Sequence, residues 1–374
     1  MILPEMYPGL TILGPPPVGR HRTHWFEISN LHIIASGTTT ELPPPPGLLV
    51  IGGQSLEGPL SAIETFGFED DHCIVPALPE TRYGLAAFKT SSGHLGVCGG
   101  WWSGKPYSTD CLTLKVSEAQ WVRGTFKGAL SAEGVRGVAT FENNGTYIIH
   151  SETTSYLDRS DTWTPGPSNP VEAECGCRIS NSSYVIVGSN RGRNILEYSI
   201  TFGNWQDPDR WPELEIRRKG PGCAATSNYL LVAGGVTEQG VVLTNVEIFR
   251  LDTFTAGFVD KRTTGEARNL LTPRSFFTLV PVGLVHPRLF AIGGRDGGSF
   301  LHSTEFWDQE QNEWEQGPAL GTGRSSFGAI MIEADFACAD ILLPHTCPTT
   351  DGGTCVFSDD KGKNTIRDGG STTL

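Results

Sequence analysis

The chain has 374 residues, with 28 Lys and Arg against 41 Asp and Glu, a formal net charge of -13. A surface of that sign repels phosphate backbones, so nucleic acid is not an expected partner. Only 18% of residues are charged, whereas Gly numbers 46 and Pro 25, which favours many short strands joined by tight turns over long amphipathic helices.

Residues 1–47 read as a Pro-rich N-terminal extension. The opening MILPEMYPGLTILGPPP lacks a basic n-region and is broken by prolines, so as written it is not a signal peptide. The expected compartment is cytoplasmic if this is the true start and extracellular if a leader is missing. Pro15–Pro17 and Pro43–Pro46 are stiff spacers, and the segment HWFEISNLHIIASG between them reads as one or two strands. No apolar run is long enough to span a bilayer. The most apolar stretch, from Phe276, is interrupted by Pro281, His286, Pro287 and Arg288.

From residue 48 a pattern recurs. A short β-prone run ends in two small residues: LLVIGG, HLGVCGG, TYIIHS, SYVIVGS, YLLVAGG and RLFAIGG. The first small-pair positions are Gly52, Gly99, His150, Gly188, Gly234 and Gly293, at intervals of 47, 51, 38, 46 and 59 residues. Before every copy except the first stands a segment dominated by small residues or led by Arg, as at Arg82 and Arg274, and one more such segment, led by Arg324, follows the last copy. After each copy comes a third segment, often with Glu (Glu64, Glu197, Glu247, Glu305), and then a Trp in four repeats: Trp121, Trp163, Trp205 and Trp314. Small side chains suit strands crowded around an axis, and each Trp suits a wedge between neighbouring blades. The Arg-led segment beginning at Arg324 has nothing after it, while the first Gly-Gly run has nothing before it. Pairing the two closes a ring and removes two sheet edges.

The sixth unit, RSFFTLV…RLFAIGGRDGGSFLHSTEFWDQEQNEWEQGPAL, resembles a near-consensus kelch repeat, and the spacing is close to the kelch period of roughly 50 residues. The resemblance spans about Leu48 to Glu333. It implies an all-β, six-bladed kelch-type β-propeller over residues 48–333, its ring closed by a C-terminal strand joining blade one. Residues 334–374 then form a Cys-containing tail expected to be largely disordered. Gly52, Gly53, Gly99, Gly100, Gly234, Gly235, Gly293, Gly294 and Arg324 are expected to be structural.

Chemistry is harder to find. GGWWSGKP at Gly99–Pro106 fits G-x-x-x-x-G-K, but Pro106 replaces the magnesium-holding hydroxyl and no helix follows. The repeated glutamates are expected to pair with the Arg-led segments or backbone donors, because a catalytic dyad would be unique. Nine histidines form no ligand cluster, and no C-x-x-C occurs, so neither metal nor cofactor is expected. Cys177 and Cys223 stand at equivalent positions of adjacent inner strands, and Cys175 shares a strand face with Cys177; buried free thiols are slightly favoured there over a bridge. Cys98 and Cys111 flank one hairpin and are the next candidate pair. Sequons at Asn144 and Asn181 decide nothing alone. Kelch propellers include copper-dependent galactose oxidases and sialic-acid mutarotases. The tyrosine-cysteine-histidine constellation of the first is not found, and a pocket of the second kind remains the alternative, with a glycan as partner.

The loops that follow the Gly-Gly runs emerge on one face. Trp101, Trp102, Tyr107, Arg191, Arg193, Arg295 and Phe300 lie there, of the types enriched in binding hot spots. The alternative is that both tryptophans pack back onto blade two. The expected function is non-enzymatic binding of a protein partner through this face, with no membrane insertion. No BTB-type adaptor region fits in residues 1–47.

Overall fold

The computed structural model describes residues 33–35, 38–40, 47–66, 75–101, 109–115, 120–128, 130, 137–188, 193–255, 261–282, 288–332, 355–358 and 364–367. Five sheets have four strands each, in the order inner, second, third, outer, and a three-stranded sheet completes a six-bladed ring. The inner strands of blades two to six are Ala86–Lys89, Gly137–Glu142, Ala173–Ser180, Gly222–Ala225 and Thr278–Val282. The one helical turn among the described residues is a 3-10 turn at Pro208–Arg210, and no described helix is long and apolar enough to cross a membrane.

Blade one closes the ring as the sequence predicts. Its inner strand is Gly328–Ile332 from the far end of the repeats, paired antiparallel to Gly47–Ile51 with Gly328 opposite Ile51 and Ile332 opposite Gly47. Its third strand is Ile63–Phe66.

The second strands read as continuous apolar runs because both of their faces are covered by neighbouring blades. Gly47–Ile51, Leu95–Cys98 and Ser183–Gly188 are buried throughout. Alternation would appear only if one face met water. The inner strands carry small residues because they converge. A Cβ on Gly222 would sit 2.7 Å from the Phe277 ring, and one on Gly328 would sit 2.5 Å from the Ala87 Cβ. The tryptophans fill the widening gaps further out. Trp121 packs with residues of blades one and two, Trp163 with blades two and three, and Trp314 with blades five and six. Trp121 Nε1 donates to Pro76 O at 2.9 Å and Trp314 Nε1 to Arg268 O at 3.0 Å, so each indole also ties down the chain arriving from the preceding blade.

The paired glycines have a specific task. Gly52 and Gly53 adopt φ of 62° and 101°, in the region that other residues rarely adopt, and the pairs at Gly99, Gly234 and Gly293 repeat this. The turn brings the second glycine under the next connection: Gly53 N donates to Arg82 O, Gly235 N to Arg274 O and Gly294 N to Arg324 O, each at 2.8 Å.

Because strands alternate in direction, each blade puts its inner–second and third–outer turns at one face, here the hairpin face. The second–third loops and blade-to-blade connections lie at the other, the loop face. Around the axis on the loop face runs an arc of backbone hydrogen bonds. Gly137 N donates to Gly84 O, Gly84 N to Ser326 O, Ser326 N to Phe276 O and Phe276 N to Gly220 O, all at 3.0 Å or less. Gly220 N continues to the carboxylate of buried Glu174 at 3.1 Å. Outside the ring, Ile33–Ala35 pairs with Thr38–Thr40. Cys355–Ser358 pairs with Asn364–Arg367, a hairpin in a tail expected to lack structure.

Candidate functional site

The axis of the ring holds a cavity of about 510 Å3. Most of its wall is small or apolar: Ala86, Ala87, Gly137, Val138, Gly176, Gly222, Ala224, Leu279 and Gly328 all contribute. Charge enters from the hairpin-face end, where Lys89, Glu142 and Arg178 lie on inner-strand ends. Arg178 donates to Glu142 O at 2.7 Å. Cys177 lines the same wall as a free thiol, pushed up to about 12 by burial, so it is protonated at neutral pH and a poor nucleophile. The bridges in this part of the molecule are Cys175–Cys223, joining the inner strands of blades four and five with Cα atoms 5.7 Å apart, and Cys98–Cys111 within blade two at 4.1 Å. The free thiols expected here give way to a bridge, and it is Cys175, not the Cys177 expected opposite Cys223, that meets Cys223 across the two strands.

A buried histidine and serine mimic a catalytic pair. His150 Nε2 lies 2.9 Å from Ser155 Oγ. Both residues are almost fully buried, and neither lines the cavity. Burial lowers the His150 pKa to about 4, leaving it neutral. His150 stands in blade three where blades one, two, five and six carry the first glycine of the pair, and Ser155 belongs to the third strand. Among the described residues, no group of three or more His, Cys, Asp or Glu is arranged to hold a metal ion.

The recurring charges are built into the connections. Arg324 donates through Nη1 to Gly52 O at 2.9 Å and Ala62 O at 3.2 Å, and pairs with Glu64. Glu64 in turn accepts from Gly321 N at 2.7 Å and Thr322 N at 3.0 Å. Arg274 repeats this with Gly293 O, Ser303 O and Glu305, and Arg218 with Gly234 O, Asn245 O and Glu247. Arg82 makes the same carbonyl contacts to Gly99 and Asp110 but takes Glu80 as its acid, because the third strand of blade two has Leu112 at the corresponding register position. Glu197 departs from the set. It stands one register place further along, opposite Val185, and meets Arg210 at 3.0 Å and Trp211 Nε1 at 3.1 Å. These four arginines are fully or almost fully buried, so they position the disc and are closed to a ligand.

The loop face is different in kind. Leu56 in the blade-one loop is 87% exposed, Val241 in the blade-five loop 58%, and Leu271 in the connection from blade five to blade six 58%. Between them, in blade six, the exposed Arg295 places its guanidinium 4.9 Å from the centroid of the Phe300 ring. The loops abut: a Cβ on Gly297 would lie 3.4 Å from Val242, and Gln54 bridges to Ser325. In blade two, Trp101 stacks on Tyr83 with centroids 6.1 Å apart and remains partly exposed.

The kelch motif family matches residues 278–321, the whole of blade six from its inner strand to the connection beyond its outer strand. Five further blades stand around the same axis, four of them with the same four-strand order. The chain is a kelch-repeat β-propeller. No curated protein matches it.

In this kelch propeller, Arg295 and Phe300 of the sequence-predicted residues meet each other, and Trp101 lies on the same face in blade two. Arg193 lies further round, in blade four, where it pairs with Glu213 at 2.6 Å. Trp102, Tyr107 and Arg191 lie outside the described residues. Sequence reading missed Leu56, Val241 and Leu271, since a single apolar residue in a loop does not announce its exposure. It also missed Arg218, although Arg82, Arg218, Arg274 and Arg324 each precede the inner strand by four residues, a spacing that would have found it.

Proposed function

We propose that this kelch propeller is a non-enzymatic module that grips a protein partner with its loop face. The kelch propeller fold supports a protein-interaction role in general. The observation that carries the finer reading is the run of exposed apolar and guanidinium groups across blades five, six and one: Val241, Leu271, Arg295 with Phe300, and Leu56. Contiguous exposed apolar groups beside Arg and aromatic anchors mark protein-binding surfaces. Trp101 extends the patch to blade two. The alternative, a sugar site in the axial cavity, has less to support it. The cavity wall is small and apolar, and its charged groups sit at one end without the convergent set that a polyhydroxyl ligand needs.

Capture of partners from cell lysate, quantified by mass spectrometry, tests the reading. Leu56→Asp/Val241→Asp and Arg295→Ala/Trp101→Ala should each deplete a common set of proteins at least tenfold. Phe202→Asp, which changes an 81% exposed residue on the hairpin face, should leave that set intact. Identical recovery by wild type and both loop-face variants would sink the proposal.

A further inference from the structure

We infer that Asn144 and Asn181 are N-glycosylation sites, so that the hairpin face of the propeller is glycan-covered. The two sequons, Asn144-Gly145-Thr146 and Asn181-Ser182-Ser183, lie far apart in the repeat pattern, and the fold brings them together. Asn144 is at the tip of the hairpin joining Gly137–Glu142 to Thr146–His150. Asn181 is at the tip joining Ala173–Ser180 to Ser183–Gly188. Both are exposed, and both are in inner–second turns of adjacent blades, so they share one face. The tips touch: Asn143 Nδ2 donates to Asn181 O at 2.9 Å. Asn144 holds φ of 56°, a conformation Asn tolerates, and is exposed at the apex.

Two disulfides supply an independent observation. Cys98–Cys111 and Cys175–Cys223 are bridged in the folded ring. Such bonds persist in oxidising compartments, the endoplasmic reticulum and beyond, and are rare in the cytosol. The sugar donor, a lipid-diphosphate-linked oligosaccharide, is used in that same lumen. In the transfer, Asn Nδ2 forms a bond to the anomeric carbon of the first sugar and loses one proton. The anomeric carbon–oxygen bond to the lipid diphosphate breaks, and the diphosphate leaves with its electron pair.

The structure also dates the event. The Thr146 hydroxyl is buried and donates to Lys89 O of blade two at 3.1 Å, and the Ser183 hydroxyl is buried against Ser180 at 2.9 Å. The Thr146 hydroxyl is therefore available only before blade three packs on blade two, and the Ser183 hydroxyl only before its own hairpin closes, while the finished fold leaves each Asn outside. Modification during synthesis fits both facts. The inference goes beyond the docking reading and does not rest on it.

The test is production of the full chain behind a secretory leader in a eukaryotic host, treatment with peptide-N-glycosidase in heavy-oxygen water, and peptide mapping with parallel alkylation of free thiols. Both asparagines should appear as isotopically labelled Asp. Partial digestion should show two mobility steps, and Asn144→Asp and Asn181→Asp should each remove one. Asn144→Asp/Asn181→Asp carries at both sites the residue that the enzyme itself leaves, so its melting should match the deglycosylated wild type. Two unmodified asparagines overturn the inference, whether Cys98, Cys111, Cys175 and Cys223 are found bridged or found reduced.

Discussion

Arg324→Met is the sharpest perturbation of the ring, because Arg324 sits at the seam where the two ends of the propeller meet. The guanidinium is fully buried, and the substitution removes donors from Gly52 O and Ala62 O and the partner of Glu64. Burial disfavours the charged Arg324 and lowers its pKa, while Glu64 acts to restore it, so the pair is held as a unit. Breaking a buried pair on one side costs about 3–5 kcal/mol. At roughly 2–4 °C per kcal/mol for a domain approaching this size, the melting temperature should fall by about 6–20 °C. Glu64 is 20% exposed and keeps its two backbone donors, which places the loss toward the lower end. Arg274→Met is the matched control. It makes the same break inside blade six against Glu305, which is 1% exposed, so its loss should be the larger. The assay is thermal melting by circular dichroism with limited proteolysis of both variants, plus Arg324→Met/Glu64→Gln to complete a double-mutant cycle. The double variant should be less destabilised than the sum of the singles by about 1 kcal/mol or more. Arg324→Met melting within about 2 °C of wild type, or strict additivity in the cycle, would refute the view of Arg324 as a latch.

Further outcomes follow from the same structure. A chain stopped before Arg324 lacks the strand that pairs with Gly47–Ile51 and should be aggregated or rapidly cleaved, as gel filtration and protease digestion will show. His150 has a pKa lowered from 6.5 to about 4 by burial. The unfolded chain therefore takes up the proton first as pH drops, and about 3 kcal/mol of stability should be lost between pH 6.5 and about 4. His150→Asn should flatten that part of the stability profile measured by denaturant titration. Cys175–Cys223 spans 48 residues and Cys98–Cys111 spans 13. By chain entropy, removing the first bridge with paired alanines should cost about 4 kcal/mol and the second about 3 kcal/mol. Equal midpoints in guanidinium for the two double variants would contradict that ordering.

The sequence by itself determined the architecture. Gly-Gly turns, apolar second strands and small inner strands are local requirements of a blade, so their repetition counted six blades. The unmatched segment at Arg324 showed how the ring closes. Interactions between blades needed the tertiary structure, because they depend on the stagger of one sheet against the next. That stagger joins Cys223 to Cys175 and leaves Cys177 in the cavity wall, and it turns Glu197 away from the arginine set. The absence of an acid in the third strand of blade two sends Arg82 to Glu80. Exposure was equally hidden. Leu56, Val241 and Leu271 read like any loop residues until neighbouring blades placed them on one face. Asn144 and Asn181 were two ordinary tripeptides until adjacent hairpins brought them side by side. A strand pattern is written in nearest neighbours along the chain. A surface is assembled from residues dozens of positions apart, and only the packing of blade on blade decides which of them meet.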